Sequence, residues 1–139
     1  MVLPNALEKI GLFAFCETSL ENVKLPASLR EVSQGAFANC ARLRNAEFDD
    51  GLEVLGTNEY LNNGDPPCGV FESSALESIR LPATLKRIEF SAFESCERLK
   101  SVTLPDRLEH IGKRCFCRSG LGSIRLPPAL KAVESSTFS

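Results

Sequence analysis

Few side chains in this sequence could do chemistry. The chain has one histidine, His110, and six cysteines, at 16, 40, 68, 96, 115 and 117. A catalytic histidine needs a nucleophile and an orienting acid beside it. Glu89 and a cysteine could serve His110 in that way, but no motif marks them. His110 reads instead as a surface side chain at an outward position of Leu108-Glu109-His110-Ile111. A single histidine also rules out a multi-histidine metal centre. Cys115-Phe116-Cys117 has no second ligand pair at the spacing zinc requires. Gly51, Gly56, Gly64, Gly69, Gly120 and Gly122 fall at turns, in no phosphate-cradling or dinucleotide spacing. The expectation is no enzyme, no metal and no cofactor.

Bulk properties narrow the partners. Lys and Arg number 16 against 18 Asp and Glu, a net charge of −2. A bare phosphate binder shows a basic excess, so nucleic acid is not expected. The apolar stretches are a few residues long, far short of a membrane span. At 43% apolar and 24% charged, the 139 residues suit one folded domain rather than a disordered chain.

What would position any functional residue is a repeat that runs through almost the whole chain. Leu-Pro recurs at Leu3, Leu25, Leu81, Leu104 and Leu126, and Phe48-Asp49 stands in for it in the third unit. The spacings are 22, 23, 33, 23 and 22 residues, so the odd unit holds 11 extra. Four residues after each anchor comes Leu7, Leu29, Leu52, Leu85, Leu108 or Leu130. Seven after comes Ile10, Val32, Leu55, Ile88, Ile111 or Val133. A phenylalanine follows at 15, 37, 71, 93, 116 and 138, displaced only in the long unit. Units of 22 and 23 residues alternate, giving a true period of 45.

Units this short cannot bury their own apolar side chains, so they must stack into a solenoid. Leu99–Leu104 alternates with period two from Val102, and Pro105 then ends the pairing because it has no N–H. With Leu20–Leu25, Leu43–Phe48, Leu76–Leu81 and Leu121–Leu126, this segment should form a parallel sheet of five strands. Leu85–Phe90 and its equivalents are extended segments for the opposite flank. Ala36-Phe37 and Ala92-Phe93 read as tight helical turns, with little long helix anywhere.

The pattern Leu-Pro-x-x-Leu-x-x-Ile-x-x-x-Ala-Phe-x-x-Cys-x-x-Leu-x-x-Val-x-Leu-Pro runs from Leu81 to Pro105. It resembles the BspA-type leucine-rich repeat over about residues 3–139, with a break near 57–69. The resemblance implies a curved leucine-rich solenoid of about five and a half units, α/β or mainly β, that binds other macromolecules. In bacteria and some protists such proteins are often surface adhesins or antigens. The family has no fixed binding motif, so no named site carries over.

Two regions are candidates for partner contact. The outward sheet positions are Asn22, Lys24, Asn45, Glu47, Ser78, Arg80, Ser101, Thr103, Ser123 and Arg125. Lys24, Glu47, Arg80, Thr103 and Arg125 are the expected contacts with a protein partner. A merely solvated face explains the same alternation. The insertion within about 57–69 adds Tyr60, Asn62 and Asp65, because insertions in repeat proteins often lie on the binding face. A neutral excursion with Tyr60 and Leu61 tucked onto the core is the alternative.

Cys40 and Cys96 occupy equivalent positions two units apart, too far for a disulfide. The adjacent-unit pairs Cys16–Cys40 and Cys96–Cys117 stay open. Free buried thiols lean toward a reducing, intracellular compartment, and the N-terminus shows no export signal. Residues 1–139 read as a single solenoid with both ends uncapped, and we expect those ends to drive association. The expected function is a non-enzymatic protein-interaction module. The alternatives are a structural subunit held in a larger assembly and a fragment of a surface adhesin.

Overall fold

The computed structural model describes residues 1–57 and 68–138. Ten short strands follow in chain order: β1 (Lys9–Ile10), β2 (Asn22–Leu25), β3 (Glu31–Val32), β4 (Asn45–Phe48), β5 (Val54–Leu55), β6 (Ser78–Arg80), β7 (Arg87–Ile88), β8 (Ser101–Thr103), β9 (His110–Ile111) and β10 (Ala132–Val133). Every pairing between them is parallel. The chain is a parallel solenoid, with no helix among the described residues.

The continuous sheet lies on the flank the sequence ranked second. Strands β1, β3, β5, β7, β9 and β10 form one six-stranded sheet. Its spine is the aliphatic position seven after each anchor: Ile10, Val32, Leu55, Ile88, Ile111 and Val133 stand in register. Five of these side chains are buried, and Val133 closes the row with its side chain exposed.

The expected sheet of five strands is instead two separate pairs, β2–β4 and β6–β8. The break coincides with the insertion. It falls between β4 and β6, and one backbone bond, from Glu77 N to Arg44 O at 3.3 Å, crosses the gap. Leu121–Leu126 forms no strand at all. Gly120 and Gly122 flank its first leucine, and glycine weakens a strand interior.

The other flank bridges the same insertion. Gln34, fully buried, donates its side-chain amide to Phe90 O at 3.1 Å and so spans from the second unit to the fourth. It passes over Gly56, where a β-carbon would come within 2.5 Å of Gln34 Oε1. A side chain at that position would push the bridge aside.

The phenylalanine turns are not helical turns as expected. Their N–H groups donate to the next unit: Phe15 to Ala36, Phe37 to Val70, Phe71 to Ala92, Phe93 to Cys115 and Phe116 to Thr137, each at 2.8 Å. Left-handed residues bracket the ring, such as Ser91 and Ser95 around Phe93, or Arg114 and Arg118 around Phe116. A non-glycine residue in that conformation costs about 1–3 kcal/mol and persists only where the surroundings over-determine it.

Here the surroundings are a column of rings. Phe15, Phe37, Phe71, Phe93, Phe116 and Phe138 stack with centroids 5.3–5.7 Å apart and planes within 3–9°. The rings of 37, 71, 93 and 116 are fully buried. Each stacked pair contributes about 0.5–1.5 kcal/mol beyond the burial itself.

All six cysteines are free thiols, so neither open pairing is formed. Three residues after each ring stands Thr18, Cys40, Ser74, Cys96 or Ser119, a hydroxyl alternating with a thiol. Cys40 Sγ donates to Phe15 O at 3.1 Å and lies 3.5 Å from Thr18 Oγ1. Cys96 repeats this with Phe71 O at 3.0 Å and Ser74 Oγ at 3.5 Å. The 45-residue period is thus a physical pairing of units.

Candidate functional site

The gap between β4 and β6 opens into a groove of about 1000 Å³. Strand alternation puts the polar side chains of β4, β6 and β8 outward, while Ala46 and Ile79 turn into the core. Glu47, Arg80, Thr103 and Arg125 all line the groove, so four expected contact residues come together. Lys24 lies one row earlier, in register with Glu47, and reaches the groove only through Asp49 at 3.9 Å. Tyr60, Asn62 and Asp65 fall outside the described residues.

Sequence reasoning missed the turns that follow the strands. Asp49, Asp50, Asp106 and Arg107 also line the groove. The signal was available: in the third unit Asp49 stands where the anchor normally has proline. Asp50 is partly structural, since its Oδ1 accepts from Ala83 N at 2.8 Å across the gap. Thr84 Oγ1 completes the clasp, accepting from Gly51 N at 2.9 Å and donating to Leu52 O at 2.7 Å. Gly51 itself is obligatory, because a β-carbon there would overlap the Ala27 carbonyl.

The groove is charged with both signs. Glu47, Asp49 and Asp50 stand on the β4 side, and Arg80, Arg107 and Arg125, with Asp106 beside them, on the other. Among the described residues none of these three arginines is ion-paired, and neither is Glu47. The small polar column beside them is partly self-satisfied, with Asn45 Nδ2 donating to Asn22 Oδ1 at 2.9 Å.

A second polar cluster sits by the phenylalanine turns. The Arg114 guanidinium donates through Nε to both Glu94 oxygens, at 3.1 and 3.2 Å, and Ser91 Oγ donates to Glu94 Oε2 at 2.5 Å. Burial pushes the Glu94 carboxyl up, but the Arg114 and Ser91 hydrogen bonds and the guanidinium charge outweigh it, holding it below the usual carboxylate range. Neighbouring Glu72 is held above that range, chiefly by burial and also by the Glu94 charge. Its Oε2 accepts from Gly69 N at 2.8 Å. The Arg114–Glu94 bonds tie the turns of two successive units together, while Ser91–Glu94 and Gly69–Glu72 each brace a single turn.

His110 is more covered than a plain surface histidine, with its side chain 17% exposed, and it lies 3.9 Å from Glu134. Burial raises the Cys16, Cys68, Cys96 and Cys115 thiols above their ordinary pKa, most of all Cys115. A raised thiol is a poor nucleophile at neutral pH. No group of three metal-ligating side chains occurs among the described residues. No helix among them is long and apolar enough to cross a membrane.

The profile of the BspA type Leucine rich repeat region matches this sequence in six copies, over residues 1–64 and 67–139. The chain belongs to the BspA-type leucine-rich repeat family. This BspA-type solenoid is similar to a leucine-rich repeat protein from Bacteroides ovatus, with 27% identity and a TM-score of 0.75. The match covers 93% of this chain and 31% of that one. It also shares the fold of the pneumococcal vaccine antigen PcpA, with 18% identity and a TM-score of 0.67, over 92% of this chain and 40% of that one. The chain therefore spans about a third of the length of these solved relatives. No curated protein matches it significantly. The BspA-type repeat and its solved neighbours fit a protein-interaction module, in a family and fold that are typically non-enzymatic.

Proposed function

We propose that this chain is a non-enzymatic interaction module that presents its interrupted sheet face to a protein partner. The observation that carries the reading is the groove, where Glu47, Arg80, Thr103 and Arg125 converge beside a missing ladder. Lys24 extends the contact by one row. The insertion within 57–69, with Tyr60, Asn62 and Asp65, is a second contact region. The test is affinity capture from source cells with three baits: the intact chain, Lys24→Glu plus Arg80→Glu, and a copy lacking 57–69. A stoichiometric protein lost with the double variant supports the sheet face, and one lost only with the deletion moves the site to the insertion. A partner kept by both variants refutes both contact regions.

A second reading is a structural subunit of a larger assembly, for which exposed apolar Leu12 and Leu126 would be contacts. Sedimentation separates the two: a concentration-independent monomer argues against self-association. The adhesin reading rests on the family resemblance, and binding of the intact chain to extracellular ligands is its test.

A further inference from the structure

We infer that the groove takes an extended peptide segment of mixed charge, lying along the solenoid axis. Its acidic side chains face Arg80, Arg107 and Arg125, and a basic side chain faces Glu47. The inference rests on the interaction-module reading above and specifies the chemistry of the partner.

Along the column of outward positions the rows run Glu47, Arg80, Thr103 and Arg125, so the sign changes across the break. The turn after β8 adds a third cation, Arg107, and one anion, Asp106, on the same side as Arg80 and Arg125, which leaves that side net positive. All five charged groups are exposed, and among the described residues none is ion-paired. Glu47 and Arg80 occupy neighbouring rows, yet they do not neutralise one another. Opposite charges held apart across a groove are complementary to a ligand carrying the reverse order.

Rows paired in a ladder stand about 5 Å apart, as Arg80 and Thr103 do. Three such steps set roughly 15 Å as the shortest path from Glu47 to Arg125, and the unpaired gap between β4 and β6 can only lengthen it. An extended peptide rises about 3.3 Å per residue, so at least about five residues are needed to reach from one end to the other. A basic and an acidic side chain separated by three to five residues would meet both ends.

A polyanion, such as a nucleic acid or a sulfated glycan, would gain the arginines. It would also meet Glu47, Asp49, Asp50 and Asp106 in the same groove. Like charges brought together at an interface suppress the wrong partner. Partly exposed Phe48, Ala83 and Leu104 also contribute to the lining and suit aliphatic side chains between the charged ones.

The experiment is selection of displayed random hexapeptides on the full chain, with heparin fragments as the polyanion probe. Enrichment of peptides with a basic and an acidic residue three to five positions apart is the expected result. For the leading peptide, fluorescence anisotropy should show Kd rising about tenfold or more in Arg80→Glu plus Arg125→Glu. Replacing the peptide's acidic residue by lysine should restore binding to that variant and weaken it to the wild type. Unchanged circular dichroism would confirm that these exposed positions leave the fold intact. Enriched peptides that are lost in the variant but carry no charge pattern would overturn the inference and leave the sheet-face reading standing. Peptides indifferent to the variant would overturn both. Heparin displacing every selected peptide, or a selection that enriches nothing, overturns the mixed-charge inference.

Discussion

The two flanks of the solenoid are built from one repeat yet end up different. On one, six two-residue strands pair without a break, and a buried glutamine carries the connection over the insertion. On the other, longer strands with clearer alternation stop pairing where the insertion intervenes, and a charged groove results. Strand length and alternation are therefore poor guides to which ladder is continuous. What decides is whether consecutive units keep their register, and register is a property of the connections as much as of the strands.

The largest effect should come from the element both flanks share. Phe93→Ala removes a fully buried ring from the middle of the stack and should cost about 3–5 kcal/mol in urea unfolding. Phe138→Ala, at the half-exposed end of the same column, should cost far less. Equal losses would mean that the column is not a cooperative core.

Next comes a contrast between the flanks. Ile88 pairs with Leu55 on one side and Ile111 on the other, while Ile79 pairs only with Val102. Ile88→Ala should cost roughly 3–5 kcal/mol and Ile79→Ala roughly 2–3 kcal/mol. The reverse order would show that the interrupted flank is the stiffer one.

A smaller effect depends on pH. Glu94 sits below its unfolded pKa of about 4.3, so its contribution is complete above that value and is lost as pH falls through the folded pKa. Glu72 has the opposite sign: its folded pKa is raised, and its contribution is lost as pH rises through it. Glu94→Gln should therefore flatten the fall in Tm between about pH 5 and pH 2. An acid limb identical to the wild type would remove Glu94 from the account. The smallest effect belongs to the exposed Arg42–Glu21 pair, 2.9 Å apart beside the interrupted sheet. Arg42→Ala should leave Tm unchanged within measurement, because such pairs contribute little.

Much of this was legible in the residues. The anchors, the aliphatic spine and the ring column, including the displaced Phe71, all follow from spacing because each must fill one place in a stacked core. Other features were hidden for physical reasons. The left-handed conformation at Ser91 or Arg114 leaves no compositional mark, since it is imposed by inter-unit bonds rather than chosen by glycine. The contribution of Asp49, Asp106 and Arg107 to the groove depends on how far two sheets separate, which no single unit encodes. Grouping Glu47, Arg80 and Thr103 was possible because strand alternation places them outward, whereas Arg125 reaches the same groove from a segment that forms no strand.

The alternation of thiol and hydroxyl after each ring bears on how such an array can change length. Thr18 meets Cys40, and Ser74 meets Cys96, each couple sharing one carbonyl of the earlier unit. Duplicating or losing a single unit would set thiol against thiol or hydroxyl against hydroxyl at the new junction. Duplicating or losing two at once preserves every couple. The array is therefore expected to grow and shrink by even numbers, with the couple rather than the single repeat as its unit of inheritance.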